Sequence, residues 1–250
     1  AWRMERIDFL RKYSDLVLVL FKFEHKLYAS YGLNCLFVGH PVIENIKSRR
    51  PCFDNKEKKA ICFFPGSRIS TVRQLLPLYL QIAEAIYCQF PMRDFIFGIT
   101  HNIPDKFLKK YKFTHPFQVQ RIDSALELFP VCSLAILPTG TISLESALCR
   151  IPSIVVNKVN YLNYLLVKDK IKTPFLSLPN ILAKEEIFPE FLQTHISVEK
   201  ILQTAEDFLD YPDKFDERFK KWDAIERQEF DYDEPINITA QAIVNFLHTI

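Results

Sequence analysis

The chain has 250 residues, 48% of them hydrophobic and 14% aromatic, enough to bury a sizeable core in one or two domains. Its 32 Lys and Arg against 30 Asp and Glu leave a net charge of +2, which argues against sequence-wide nucleic-acid binding. No apolar run approaches the roughly 20 residues of a membrane span, and no signal peptide is visible.

In chain order, residues 3–13 predict a short amphipathic helix made basic by Arg3, Arg6, Arg11 and Lys12. Such charges are ordinarily solvated; anionic lipid is the alternative. Residues 15–21 form an almost continuous apolar run with the length and β-branching of a strand buried on both faces. A helix over 24–31 stops at Gly32, and a second buried strand covers 35–38. These opening elements are too few for a domain of their own, so pairing partners are expected from a preceding region or another chain. His40, before Pro41, reads as a hinge or turn residue, with a ligand contact as the alternative.

A polar stretch over 44–59 is the expected linker and domain boundary. A strand over 60–64 follows, then a helix over 72–90 with apolar residues at 72, 75, 76, 79, 82, 83 and 86. The reading continues with a strand at 94–99, a short helix at 104–111 and a strand at 117–119. Ser124 caps a helix running to about residue 130. Strands at 134–137 and 153–156 flank a helix at 141–149; a helix at 160–170 and a strand at 175–178 come next. Helices over 198–210, 212–227 and 236–249 close the chain. Strands alternating with helices imply a parallel α/β sheet with right-handed crossovers.

Three motifs lie at the ends of predicted strands. In Phe64-Pro65-Gly66-Ser67-Arg68, the glycine permits a tight turn. The amides and the Ser67 hydroxyl can donate to an anion at a helix start, and Arg68 adds a fork-shaped cation. Thr139-Gly140-Thr141 repeats the arrangement, with Glu145 one turn into its helix as an acceptor for sugar hydroxyls. Leu178-Pro179-Asn180 offers an amide to a sugar or base edge. Taken singly, each is equally an ordinary turn, cap or Asx-turn. Together they suit a ligand carrying a diphosphate.

The six cysteines, at 35, 52, 62, 88, 132 and 149, show no metal-ligand spacing. Cys62, Cys88, Cys132 and Cys149 fall in apolar runs, as reduced core residues do. No Walker loop, Gly-rich dinucleotide fingerprint, His-Glu-x-x-His motif or recognisable Ser-His-Asp set is present.

The ordered set resembles the lipid-A-disaccharide synthase family of inverting glycosyltransferases. The match is carried by Ala1-Trp2-Arg3, by residues 15–21 with Phe23 and Glu24, by Phe37-Val38-Gly39-His40-Pro41 and by residues 64–68. It continues through residues 139–145, 178–183 and 189–193. The resemblance implies a GT-B fold, with Rossmann-like parallel sheets flanked by helices. Residues 1–41 would be the tail of an N-terminal, acceptor-side domain and 42–235 a complete UDP-sugar-binding domain. Residues 236–250 would form a helix crossing back.

The implied reaction transfers 2,3-diacylglucosamine from its UDP donor to 2,3-diacylglucosamine 1-phosphate, releasing UDP. Gly66, Ser67, Arg68, Thr139, Gly140, Thr141, Glu145 and Asn180 are the implied UDP-sugar site. No metal or cofactor is implied. The catalytic Asp base is expected in an N-terminal domain that this chain largely lacks. Peripheral contact with the cytoplasmic face of the inner membrane is implied by the amphiphilic substrates; a homodimer is a candidate assembly. Thr71, Asn157, Lys184 and Lys22 depart from the family's Glu, Tyr, Gly and Pro at the matching positions. Another UDP-sugar transferase or epimerase, or an inactive nucleotide-sugar-binding remnant, would fit the same loops.

Overall fold

The computed structural model describes residues 5–47, 59–114, 116–158, 174–193 and 196–248. The first elements are α1 (Glu5–Tyr13), β1 (Val17–Val19), α2 (Lys22–Ser30), β2 (Cys35–Phe37) and α3 (Val42–Lys47). β1 and β2 form a parallel two-stranded sheet pairing Val17 with Cys35 and Val19 with Phe37. Its small core gathers Ile7, Val19, Tyr28 and Leu33. The strand expected over 15–21 is only three residues long, since β2 is its one partner among the described residues. Leu20 and Leu36 are accordingly exposed.

The main sheet contains β3 (Ala60–Phe63), β4 (Asp94–Thr100), β5 (Phe117–Ile122), β6 (Cys132–Leu137), β7 (Ser153–Asn157) and β8 (Glu190–Leu192). Its spatial order is β5-β4-β3-β6-β7-β8, and every pairing is parallel. β3 lies at the centre with all four residues buried, as its unbroken apolar run requires. Phe63 stacks on Phe97 with ring centroids 4.7 Å apart.

Helix α4 (Ile69–Gln89) packs its predicted stripe inward, with Val72, Leu75, Leu76, Tyr79, Ile82, Ala83 and Ile86 wholly buried. Each aliphatic side chain so removed from water contributes about 1.5–3 kcal/mol. The Tyr79 hydroxyl donates to Val156 O at 2.8 Å, joining α4 to β7. Next come α5 (Asp105–Leu108) and α6 (Thr141–Leu148), with a 3-10 turn at Ala125–Glu127 capped by Ser124. That turn replaces the longer helix expected there. The later helices Val198–Asp210, Pro212–Phe230 and Pro235–Leu247 match the expected ones to within a few residues.

Several expectations are corrected. The polar stretch over 44–59 is not linker from its start: Val42, Ile43 and Ile46 share one buried face of α3. The strand expected at 175–178 is instead the approach to a helix, Leu178–Ala183, with Pro179 in its first turn, where a proline needs no amide partner. The sixth strand is β8, further along. Lys184 caps that helix at φ +56°, a left-handed conformation that costs a non-glycine residue about 1–2 kcal/mol. Cys88 is exposed rather than buried. The helix expected at 160–170 lies outside the described residues.

The two sheets meet through a tightly packed joint. Gly39 has φ +83°, and a Cβ there would stand 2.3 Å from Cε2 of the Tyr232 ring. The Tyr232 hydroxyl accepts from the backbone N–H of His40 at 2.6 Å. Lys47 Nζ donates to Tyr232 O at 2.8 Å and pairs with Asp233. Phe21 meets Phe230 edge-on. His40 is therefore a turn residue: it is buried, and its Nδ1 accepts from Val42 N at 3.2 Å. Burial pushes its pKa down.

Candidate functional site

The strand order places a topological switch point at β3 and β6. β3 sends its connection toward β4 on one side, while β6 begins the half of the sheet on the other. Loops leaving the carboxyl ends of such strands diverge and open a crevice between them. A cavity of about 550 Å³ lies there. Gly66, Ser67 and Arg68 form one wall, and Thr139, Gly140, Thr141 and Glu145 form a second. Seven of the eight expected site residues thus meet around one space.

The anion-attracting features converge locally. Gly140 is the N-cap of α6 at φ +126° and carries no capping side chain; Ser143 N donates back to Gly140 O at 3.1 Å, and the Thr141 and Ile142 amides are left for another acceptor. Arg68 is the exposed N-cap residue of α4. The Ser67 loop is braced by Asn102, whose Nδ2 donates to Ser67 O at 2.7 Å. Thr71 faces the Gly66 turn with its methyl group.

Asn180 is the exception. It is wholly buried and does not line the cavity. Its Nδ2 donates to Phe188 O at 2.7 Å and to Glu190 Oε1 at 2.8 Å. Its Oδ1 accepts from Ile187 N at 2.8 Å and Phe188 N at 2.9 Å. Both donors and both lone pairs of the amide are used, leaving nothing with which to grip a sugar. The Glu190 carboxylate completes this knot by accepting from Leu176 N, Ser177 N and the Ser177 hydroxyl. The expected sugar or base contact is therefore corrected to an internal brace between the 174–183 segment and β8.

The cavity also has walls that motif reading passed over. Thr100, Ile122, Asp123, Ser124 and Ala125 line the side opposite Glu145's helix, and Asn157 and Lys158 complete the rim. The Glu127 carboxylate shapes that opposite wall by accepting from Asp123 N and Ser124 N, each at 2.9 Å. The spacing Ser124-x-x-Glu127 signals this capping box. Lys158, directly after β7, gives the cavity a second exposed cation.

Glu145 is half-buried, and desolvation raises its carboxyl pKa. The folded state therefore holds this proton more tightly than the unfolded chain does. Between the ordinary carboxylate value and the raised one, stability falls as pH rises, and above that window the penalty is constant. Glu145→Gln is expected to raise the melting temperature at neutral pH. The gain should shrink and vanish as the pH is lowered through the carboxylate range, which thermal melts across pH will check.

The model of the family described as lipid-A-disaccharide synthetase matches residues 1–234. Lipid-A-disaccharide synthase 2 of Legionella pneumophila (strain Paris) is 29% identical over 220 residues, covering 84% of this chain and 57% of that protein. The lipid-A-disaccharide synthase of Neisseria meningitidis serogroup C is 32% identical over 229 residues, covering 86% of this chain and 59% of that protein. The chain thus spans less than two thirds of the length of these relatives. Among solved structures, the wall teichoic acid polymerase TagF superposes with a TM-score of 0.52 at 13% identity, over 98% of this chain and 60% of that one. The fold is that of a GT-B glycosyltransferase, and by its sequence the chain belongs to the lipid-A-disaccharide synthetase family.

Proposed function

We propose that the cavity between the β3 and β6 loops binds the UDP moiety of a UDP-sugar, and that the whole protein is a glycosyltransferase of lipid A biosynthesis. The donor is UDP-2,3-diacylglucosamine and the acceptor 2,3-diacylglucosamine 1-phosphate. The observation that carries this reading is the convergence of Arg68, the α6 N-terminus and Lys158 on one crevice at the switch point of the sheet.

In this scheme the acceptor hydroxyl attacks the anomeric carbon, the bond to the diphosphate breaks, and negative charge grows on the departing UDP. Arg68, Lys158 and the Thr141 and Ile142 amides at the start of α6 meet that charge with fixed donors, which stabilises the transition state more than the ground state. Glu145, one turn into α6 and lining the cavity, accepts from ribose hydroxyls. The base that takes the acceptor's proton is assigned to the part of the relatives' length that this chain does not span. On the same reading, residues 42–235 are the nucleotide-binding unit, and the whole protein works at the cytoplasmic face of the inner membrane. Among the described residues, no helix is long and apolar enough to cross a membrane.

Calorimetry on the 250-residue chain tests the site. UDP is expected to bind, and uridine to bind more weakly because it lacks the diphosphate. A folded chain that takes up no UDP overturns the assignment.

A further inference from the structure

One hydrogen bond in the cavity wall joins an amide to a hydroxyl. Asn157 Nδ2 donates to Thr139 Oγ1 at 2.6 Å. Both residues line the cavity and both are half-buried. A threonine hydroxyl has one hydrogen and two lone pairs. With one lone pair taken by the amide, the hydroxyl is rotated so that its hydrogen points away from Asn157. Among the described residues, no hydrogen bond from the Thr139 hydroxyl is present.

Ser143, one turn further along, shows the contrast. Its hydroxyl donates to Gly140 O at 2.7 Å, so its hydrogen is already used within the helix start. The Thr139 hydrogen is left unused by Asn157, whereas that of Ser143 is already taken. Asn157 is itself fixed, as the last residue of β7 and in register with Leu192 of β8.

We propose that Asn157 is a positioning residue that locks the Thr139 hydroxyl as a hydrogen-bond donor to an anionic phosphoryl oxygen in the cavity. The inference rests on the reading of the cavity as a UDP site. A hydroxyl that could turn either way would accept as readily as donate, and would discriminate little between a phosphate and a neutral polar group. With an amide N–H on one lone pair, its hydrogen is kept off Asn157 and left for the ligand, and a charged acceptor strengthens that bond. The amide dipole behind it polarises the hydroxyl in the same sense.

A double-mutant cycle with two ligands tests it. UDP and uridine are titrated into the unaltered 250-residue chain, Asn157→Leu, Thr139→Val and the double variant, with thermal melts on each. Asn157→Leu and Thr139→Val are each expected to weaken UDP binding by about tenfold, with the double variant no worse than Thr139→Val. Uridine binding should be the same in all four proteins, which a general loosening of the loop would not allow. Thr139→Ser, which retains the hydroxyl, should bind UDP as the unaltered chain does. Asn157→Ala replaces Asn157→Leu if the larger side chain lowers the melting temperature. Losses that simply add, or an Asn157 variant with unchanged UDP affinity, overturn the proposal while leaving the UDP site standing. Failure of the unaltered chain to bind UDP overturns the site reading and this proposal with it.

Discussion

Arg68→Ala should weaken UDP binding by about tenfold to a hundredfold, the range expected for removing a hydrogen-bonding cation from a charged acceptor. The side chain is exposed at the cavity edge, and no acidic partner occupies it among the described residues. Its guanidinium is therefore available to a ligand without breaking an internal ion pair. Arg68→Lys should recover part of the affinity, because the charge is kept while the two-pronged geometry is lost. Uridine binding and the melting temperature should stay where they are, since an exposed side chain outside the core contributes little to stability. The loss should also narrow at high salt, as solvent-accessible charge interactions are screened. Calorimetry at low and high ionic strength measures both effects. Unchanged UDP affinity in Arg68→Ala would move the anion subsite to Lys158 and the α6 amides alone.

The second large effect is expected at Asn180, on stability. Asn180→Ala removes the partner of two buried amides and one buried carbonyl, and takes a donor from Glu190. Each buried group stranded this way costs about 1–3 kcal/mol, so a total loss of about 3–5 kcal/mol is expected after relaxation and water entry. For a chain of this size that corresponds to a fall in melting temperature on the order of 10 °C. Asn180→Asp should be no better, because it replaces the donors with a carboxylate facing Glu190. Below the melting transition, both variants should bind UDP with the affinity of the unaltered chain. The opposite pattern, intact melting with lost binding, would return Asn180 to the ligand. Differential scanning calorimetry followed by UDP titration separates the two outcomes.

The parts of this protein that could be read in advance are those whose signal is local. The apolar runs of β3, β4, β6 and β7 and the stripe of α4 each declare a period and a burial state within a few residues. The Gly66–Arg68 and Thr139–Thr141 loops could be placed at strand ends, and parallel topology then brings them together. What escaped prediction lacks such a signal. β8 is three half-buried residues with no alternation to detect. α3 hides three buried apolar positions at the edge of a charged stretch. Asn180 looked like a ligand residue because a polar side chain after a proline carries no mark of what surrounds it. The brace from Asn102 to Ser67 joins residues 35 positions apart, and that from Asn157 to Thr139 spans 18, so neither appears in any spacing pattern.

The contact of Gly39 with the Tyr232 ring ties two distant codons together. A methyl group at position 39 has no room while the phenol stays, and a smaller residue at 232 would strip His40 of its acceptor and leave a void beside Phe37 and Phe230. Neither site can drift by itself without loss. Removing the aromatic ring would relieve the clash but not the left-handed φ of +83°, which strains any other residue there, so the glycine is held twice over. Position 39 should therefore stay glycine whether or not the ring is kept, while a change at Tyr232 is penalised only by the contacts it loses.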